Sequence, residues 1–229
     1  MTIGSPHAIT AQTGSAILPE GDRRTDGRVQ TVFRIARVIT GTDEGLARIT
    51  NLSDRGAGLR MMMPASLSES LTLEFADGVE LRGHVVWQEN EHLGLQFDQP
   101  IDCAHLLAVL AEGARLGSNR PVRLPLMVTA LTRSEVGLRS AKVVDISLRG
   151  LKLEHDGSLT EGLDLKVTLP SGIERLGRVR WVRGDRAGVM LLQSLSLDAL
   201  GSIQRLMRTP EPPVGLRQEP QGADQVAQK

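Results

Sequence analysis

The chain has no tyrosine, only two tryptophans and three phenylalanines among 229 residues. Single-strand nucleic-acid binders stack bases on several exposed aromatics, so that class is disfavoured. One cysteine, Cys103, excludes an internal disulfide framework and a cysteine-rich zinc site. Charge of one sign is also missing: 27 Lys and Arg balance 27 Asp and Glu. No strong overall field therefore draws the chain to nucleic acid or to a membrane surface. No run of 18 apolar residues is present, so no membrane insertion is expected. The first residues, MTIGSPHAITAQTGSAILPEG, have neither a basic start nor an apolar core of signal-peptide length, and a cytoplasmic location is the expectation. Catalytic motifs are absent too: no G-x-S-x-G elbow, no phosphate-binding G-x-x-x-x-G-K-[ST], no H-E-x-x-H. The five histidines show no metal-ligand spacing. Neither catalytic residues nor a metal site nor a cofactor is expected, and the chain does not read as an enzyme.

What is present is repetition. NLSDRG at 51–56 and DISLRG at 145–150 are 145 − 51 = 94 residues apart. The same offset carries Gly83 to Gly177, Trp87 to Trp181 and Gly94 to Gly188, so the only two tryptophans occupy equivalent places. This implies two units of roughly 90 residues, at 21–114 and 115–208, between disordered tails at 1–20 and 209–229. Within each unit the apolar period is two. Leu71, Leu73 and Phe75 alternate with polar positions, as do Leu163, Leu165, Val167 and Leu169. Val85 and Trp87 read as one face, and so do Val179 and Trp181. Asp77-Gly78 and Ser171-Gly172 sit where tight hairpins are expected. Short strands at this spacing predict a small antiparallel barrel or sandwich in each unit. Each unit then closes with a helix packed on its own barrel. The first spans 102–115 with Ala104, Leu107, Val109 and Leu110 inward. The second spans 196–208 with Leu197, Leu200, Ile203, Leu206 and Met207 inward, and Asp102 and Ser196 are the expected N-caps. His105 and Cys103 read as structural residues, and Met61, Met62 and Met63 as a strand end filling a core.

A single [D/N]-x-S-x-x-G is ordinarily a turn, in which Asp or Asn and Ser bond nearby backbone amides. Here each copy ends a β-rich run and is followed, 36 residues after its first position, by the tryptophan (87 − 51 and 181 − 145). The cluster Arg23-Arg24-Thr25-Asp26-Gly27-Arg28 precedes the first copy. Arginine supplies 23 of the 27 basic residues. Codon usage explains such a bias, and so does a need for planar forks that match phosphates and guanine edges. Composition does not choose between them.

Together these motifs resemble the PilZ domain, a bacterial receptor module for cyclic di-GMP. The resemblance rests on R-x-x-x-R (Arg24 to Arg28), on Asn51 to Gly56, and on Gly83-His84-Val85-Val86-Trp87 followed by Gly94-Leu95-Gln96-Phe97. It implies a mainly β chain of two tandem six-stranded antiparallel PilZ-like β-barrels, each followed by an α-helix. It also implies that Arg23, Arg24, Arg28, Asn51, Ser53 and Gly56 hold cyclic di-GMP. Arg forks meet guanine and phosphate, the Asn51 carbonyl accepts from guanine, the Ser53 hydroxyl meets phosphate or base, and Gly56 permits a turn or close backbone approach. The segment from Arg23 to Arg28 is expected to fold over the nucleotide when it binds.

The second unit departs from the pattern. Asp145, Ser147 and Gly150 fit, as do Gly177 to Trp181 and Gly188, but Leu191 replaces the aromatic. Arg115, Arg120 and Arg123 contain no pair four apart. Arg120, Arg123, Asp145, Ser147 and Gly150 are therefore expected to form at most a weaker second site, with barrel 2 used for docking or as a homodimer surface. The resemblance implies a receptor that passes second-messenger level to a protein partner of the flagellar, pilus or polysaccharide machinery. The alternative is an adaptor with the same fold that binds no nucleotide.

Overall fold

The computed structural model describes residues 30–115 and 121–209. The expected tails at 1–20 and beyond 209, together with Arg23, Arg24, Arg28 and Arg120, lie outside the described residues. Twelve strands form two closed antiparallel barrels. In the first, β1 (Gln30–Ile39), β2 (Glu44–Ser53), β3 (Gly56–Arg60), β4 (Ser70–Glu74), β5 (Glu80–Glu89) and β6 (His92–Phe97) close in the order β1-β2-β3-β6-β5-β4. The second repeats this ring with β7 (Leu124–Ser134), β8 (Gly137–Ser147), β9 (Gly150–Glu154), β10 (Asp164–Thr168), β11 (Glu174–Arg183) and β12 (Arg186–Leu191). Inward positions alternate along each strand, as in Leu124, Leu126, Val128 and Ala130, and fill one apolar core per barrel. Met61 and Met63 are buried in the first core, in line with a strand end that fills it.

The repeat extends to the irregularities. Register shifts fall between Thr31 and Arg34, Ile49 and Asn51, and Val85 and Trp87 in barrel 1. They recur between Pro125 and Val128, Val143 and Asp145, and Val179 and Trp181, each 94 residues on. The β5 bulge corrects the expected facing of the tryptophan. Val85 is 1% exposed in the core, whereas Trp87 is 48% exposed. An extra residue in the strand re-aims the side chains beyond it, so Trp87 turns out of the core and lies across Gly94. A Cβ there would stand 2.0 Å from the indole nitrogen. Trp181 lies across Gly188 in the same way, and Val182, not Trp181, packs on the second core.

The helices differ from expectation and from each other. α1 (Cys103–Arg115) buries Cys103, Leu106 and Leu110, while Ala104, Val109 and His105 are exposed. The apolar stripe is thus set from Cys103. The carboxylate of Asp54, in the β2–β3 turn, accepts the Cys103 amide at 3.0 Å and pins that residue against the barrel. Asp102 caps the next turn by accepting from the His105 amide, as expected. In the second copy Asp54 becomes Leu148 (148 − 54 = 94), which has no carboxylate to offer, and Leu107 becomes Gly201. The continuous helix is lost. A 3-10 turn at Asp198–Leu200, whose Ala199 amide donates to Ser196 Oγ, gives way to the short α2 (Ile203–Met207), capped by Ser202. Leu200 and Leu206 are buried, and Met207 is 49% exposed.

This broken segment does not pack on its own barrel alone. Ser202 Oγ donates to Asp43, whose carboxylate also accepts the Gln204 amide, and Gln204 Nε2 donates to the Thr42 carbonyl at 2.8 Å. Gly201 rests on Gly45, with Met62 beside it. Leu46, on the outer face of β2, is 1% exposed because it joins the core of barrel 2. Burying a leucine of this kind contributes about 1.5–3 kcal/mol. The two barrels are joined by this seam.

Candidate functional site

The β2–β3 hairpin places Asn51, Ser53 and Gly56 together on the rim of barrel 1. Each has a local task. Asn51 Oδ1 accepts the Gly58 amide at 2.8 Å, so the carbonyl expected to read guanine is already engaged on one side. Among the described residues its second lone pair and the amide Nδ2 have no other partner, and the half-buried side chain lies flat on Gly58. Any Cβ at residue 58 would fall 2.4 Å from Asn51 Nδ2. The Ser53 hydroxyl donates to the Gly56 carbonyl at 3.2 Å, closing the turn instead of pointing outward. Gly56 serves a close backbone approach, since a Cβ would meet the Leu95 carbonyl oxygen of β6 at 2.3 Å.

The corresponding rim of barrel 2 keeps the turn and changes its charge. Ser147 Oγ donates to the Gly150 carbonyl at 3.2 Å, matching Ser53. The residue opposite Asp145, however, is Lys152 where barrel 1 has Gly58 (152 − 58 = 94). Lys152 Nζ stands 2.5 Å from Asp145 Oδ2, and Arg123 pairs with Asp145 Oδ1. Both carboxylate oxygens therefore face a cation of the same barrel. Arg115 is the last residue of α1 and is exposed. Of the expected second-site residues, Arg123, Asp145, Ser147 and Gly150 are brought together.

Beside them a pocket of about 250 Å³ is lined by Arg123, Ser147, Arg149, Arg180 and Trp181. It adjoins, through Pro121 and Arg149, a cleft of about 390 Å³ between the barrels that includes Arg34, Phe75 and Leu110. Sequence reasoning missed Lys152, Arg149 and Arg180. The 94-residue offset, applied to Gly58, would have exposed the first. Cys103 is buried, and burial, followed by the nearby Asp54 and Asp102 carboxylates, holds its thiol above its ordinary value of 9.0. It is a packing residue. Among the described residues no helix is long and apolar enough to cross a membrane, and no group of His, Cys, Asp and Glu could hold a metal ion.

The PilZ domain model matches the chain twice, over residues 22–112 and 118–209. The chain belongs to the PilZ family. Each match takes in one barrel and its hairpin motif. Solved structures similar to this PilZ chain include PlzA of Borreliella burgdorferi in complex with c-di-GMP, at 14% identity and a TM-score of 0.33, covering 71% of this chain and 81% of that one. The Bacillus subtilis inhibitor of motility, MotI/DgrA, is 14% identical with a TM-score of 0.31, covering 74% and 93%. YcgR of Escherichia coli in complex with c-di-GMP is 12% identical with a TM-score of 0.27, covering 71% and 76%. No curated protein matches the chain.

Proposed function

We propose that the protein is a cyclic di-GMP receptor whose ligand is held mainly by barrel 1. Arg24 and Arg28 supply paired forks for guanine and phosphate, Arg23 supports a stacked second ligand molecule, and Asn51, Ser53 and Gly56 form the rim against which the nucleotide rests. The observation that carries this reading is the contrast at one register position. Gly58 has no side chain to set beside Asn51, and among the described residues no cation bonds Asn51, whereas Lys152 and Arg123 each hold one oxygen of Asp145. Only barrel 1 combines an open rim with the R-x-x-x-R pair. The chain acts as a receptor in the cytoplasm, without catalysis, and passes the signal to a protein partner of motility, pilus or polysaccharide machinery.

A second reading, an adaptor role for barrel 2, is favoured by its outer face. Leu176, Met190 and Leu192 are 57%, 42% and 57% exposed, where barrel 1 carries Arg82, Gln96 and Asp98 at the same offset. That face suits protein contact, with a partner or as a homodimer.

Calorimetric titration of the full chain with cyclic di-GMP tests the receptor reading. Arg28→Ala and Arg24→Ala should each cost about 1–3 kcal/mol, the range for one bidentate contact, or roughly 5- to 150-fold in affinity. Both variants should fold normally. Unchanged affinity in both would overturn the assignment to barrel 1.

A further inference from the structure

We infer that the rim of barrel 2 is an anion site that takes the phosphates of a nucleotide without reading its base. The inference builds on the proposal that the hairpin rim is the ligand face, and it concerns residues of barrel 2 alone. Three observations carry it.

The first is cationic excess in a formed pocket. Arg123, Arg149 and Arg180 line it, and Lys152 stands next to it. Among the described residues Asp145 is the only carboxylate pairing with any of them. The side chains of Arg149 and Arg180 are exposed and make no hydrogen bond or ion pair among the described residues. Two unpaired guanidinium forks at one pocket, with Arg123 beside them, suit phosphate oxygens.

The second is the closed state of the guanine-reading acceptor. Guanine presents N1–H and N2–H₂ to a carboxylate or amide oxygen. Asp145 has Lys152 on one oxygen and Arg123 on the other, and its side chain is 13% exposed. Each oxygen keeps one lone pair, but a base edge would have to approach it between two cations on a largely buried side chain, which returns little net free energy. Barrel 1 avoids this through Gly58.

The third concerns stacking. One face of Trp181 lies on Gly188, and the guanidinium of Arg183 sits 5.7 Å from the ring centroid. The ring already has its cation–π partner. In barrel 1 the residue equivalent to Arg183 is Glu89, which cannot play that part. Barrel 2 therefore offers a nucleotide base a shielded acceptor and a ring already in contact with Gly188 and Arg183, whereas phosphate meets two unpaired forks.

The test uses the full chain carrying Arg24→Ala, Arg28→Ala and Trp87→Phe. These changes remove the barrel 1 forks and leave Trp181 as the only reporter. Its fluorescence is titrated with cyclic di-GMP and, separately, cyclic di-AMP. The expected result is saturable binding of both, within about fivefold of one another, weakened at least tenfold by Arg149→Ala with Arg180→Ala. Lys152→Gly, or Lys152→Met if the glycine variant fails to fold, frees an Asp145 oxygen and should introduce a guanine preference of about tenfold, within the range for one specific base contact. A preference for guanine above fivefold before Lys152 is changed overturns the inference, and so does absence of binding by both nucleotides up to millimolar concentration. Failure of the barrel 1 reading would appear elsewhere, as unchanged calorimetric affinity in Arg24→Ala and Arg28→Ala.

Discussion

The backbone of Gly201 rests against that of Gly45, so close that a Cβ on Gly45 would stand 2.1 Å from the Gly201 carbonyl oxygen. One glycine belongs to strand β2 of barrel 1 and the other to the break that precedes α2. Their contact is where the second barrel's closing segment crosses onto the first. Asp43 sits beside it and holds Ser202 and the Gln204 amide.

Gly45→Ala should therefore separate the seam, drawing the neighbouring Leu46 from the core of barrel 2 and leaving the core of barrel 1 in place. Overpacking of this sort costs about 1–3 kcal/mol. The expected outcome in scanning calorimetry is a lower melting temperature, with a single transition in the parent becoming two in the variant. Arg48→Ala, an exposed change on the same strand, should leave the profile as it was.

Asp54→Ala should loosen α1. The carboxylate holds the Cys103 amide, and loss of a capping side chain costs about 0.5–2 kcal/mol. Urea denaturation is the measurement, with a lower midpoint and an unchanged slope expected. The turn containing Asp54 also hydrogen-bonds the Ile101 and Phe97 amides through its main chain, so the hairpin itself should persist.

Cys103 should be chemically silent in the folded protein. It is 3% exposed and its thiol is held above its ordinary value, first by burial and then by Asp54 and Asp102. Linkage sets the sign. A folded value above the unfolded 9.0 means that this stabilisation is complete below that pH and is lost as pH rises through the folded value. Ellman's reagent at pH 8 should label the native protein only at the rate of unfolding and the denatured protein at once. Cys103→Ala should flatten the fall in stability above pH 9.

Much of this was legible in the residues. The 94-residue offset that joins Trp87 to Trp181 extends to every strand, and alternation such as Leu71, Leu73 and Phe75 marks the inward faces. The facing of the tryptophans was not legible. A period-two reading assumes an unbroken ladder, and the bulges after Val85 and Val179 break it. The second helix was misread for a tertiary reason. Its apolar spacing resembles that of the first, but Leu148 cannot cap as Asp54 does, and Gly201 is claimed by a contact on the other barrel. Of the candidate site, the hairpin residues were legible from their motif. The engagement of Asn51 by Gly58 and of Asp145 by Lys152 was not, because each partner lies seven residues downstream, across a hairpin.

Closure of each sheet into a ring restricts how this protein can meet another. Every described strand hydrogen-bonds a neighbour on both sides over part of its length, with β1 bare on its β4 side only before Arg37 and β7 on its β10 side only before Leu131, so a foreign strand finds far less edge than an open sheet would offer. Recognition must then be written in side chains on the outside of the rings, where a single codon change alters the message without disturbing the ladder. The two halves record such a history: Arg37, Glu44 and Glu74 form an ionic cluster on the first ring, and the same stations on the second carry Leu131, Leu138 and Thr168. A duplicated scaffold has kept its geometry and rewritten its surface.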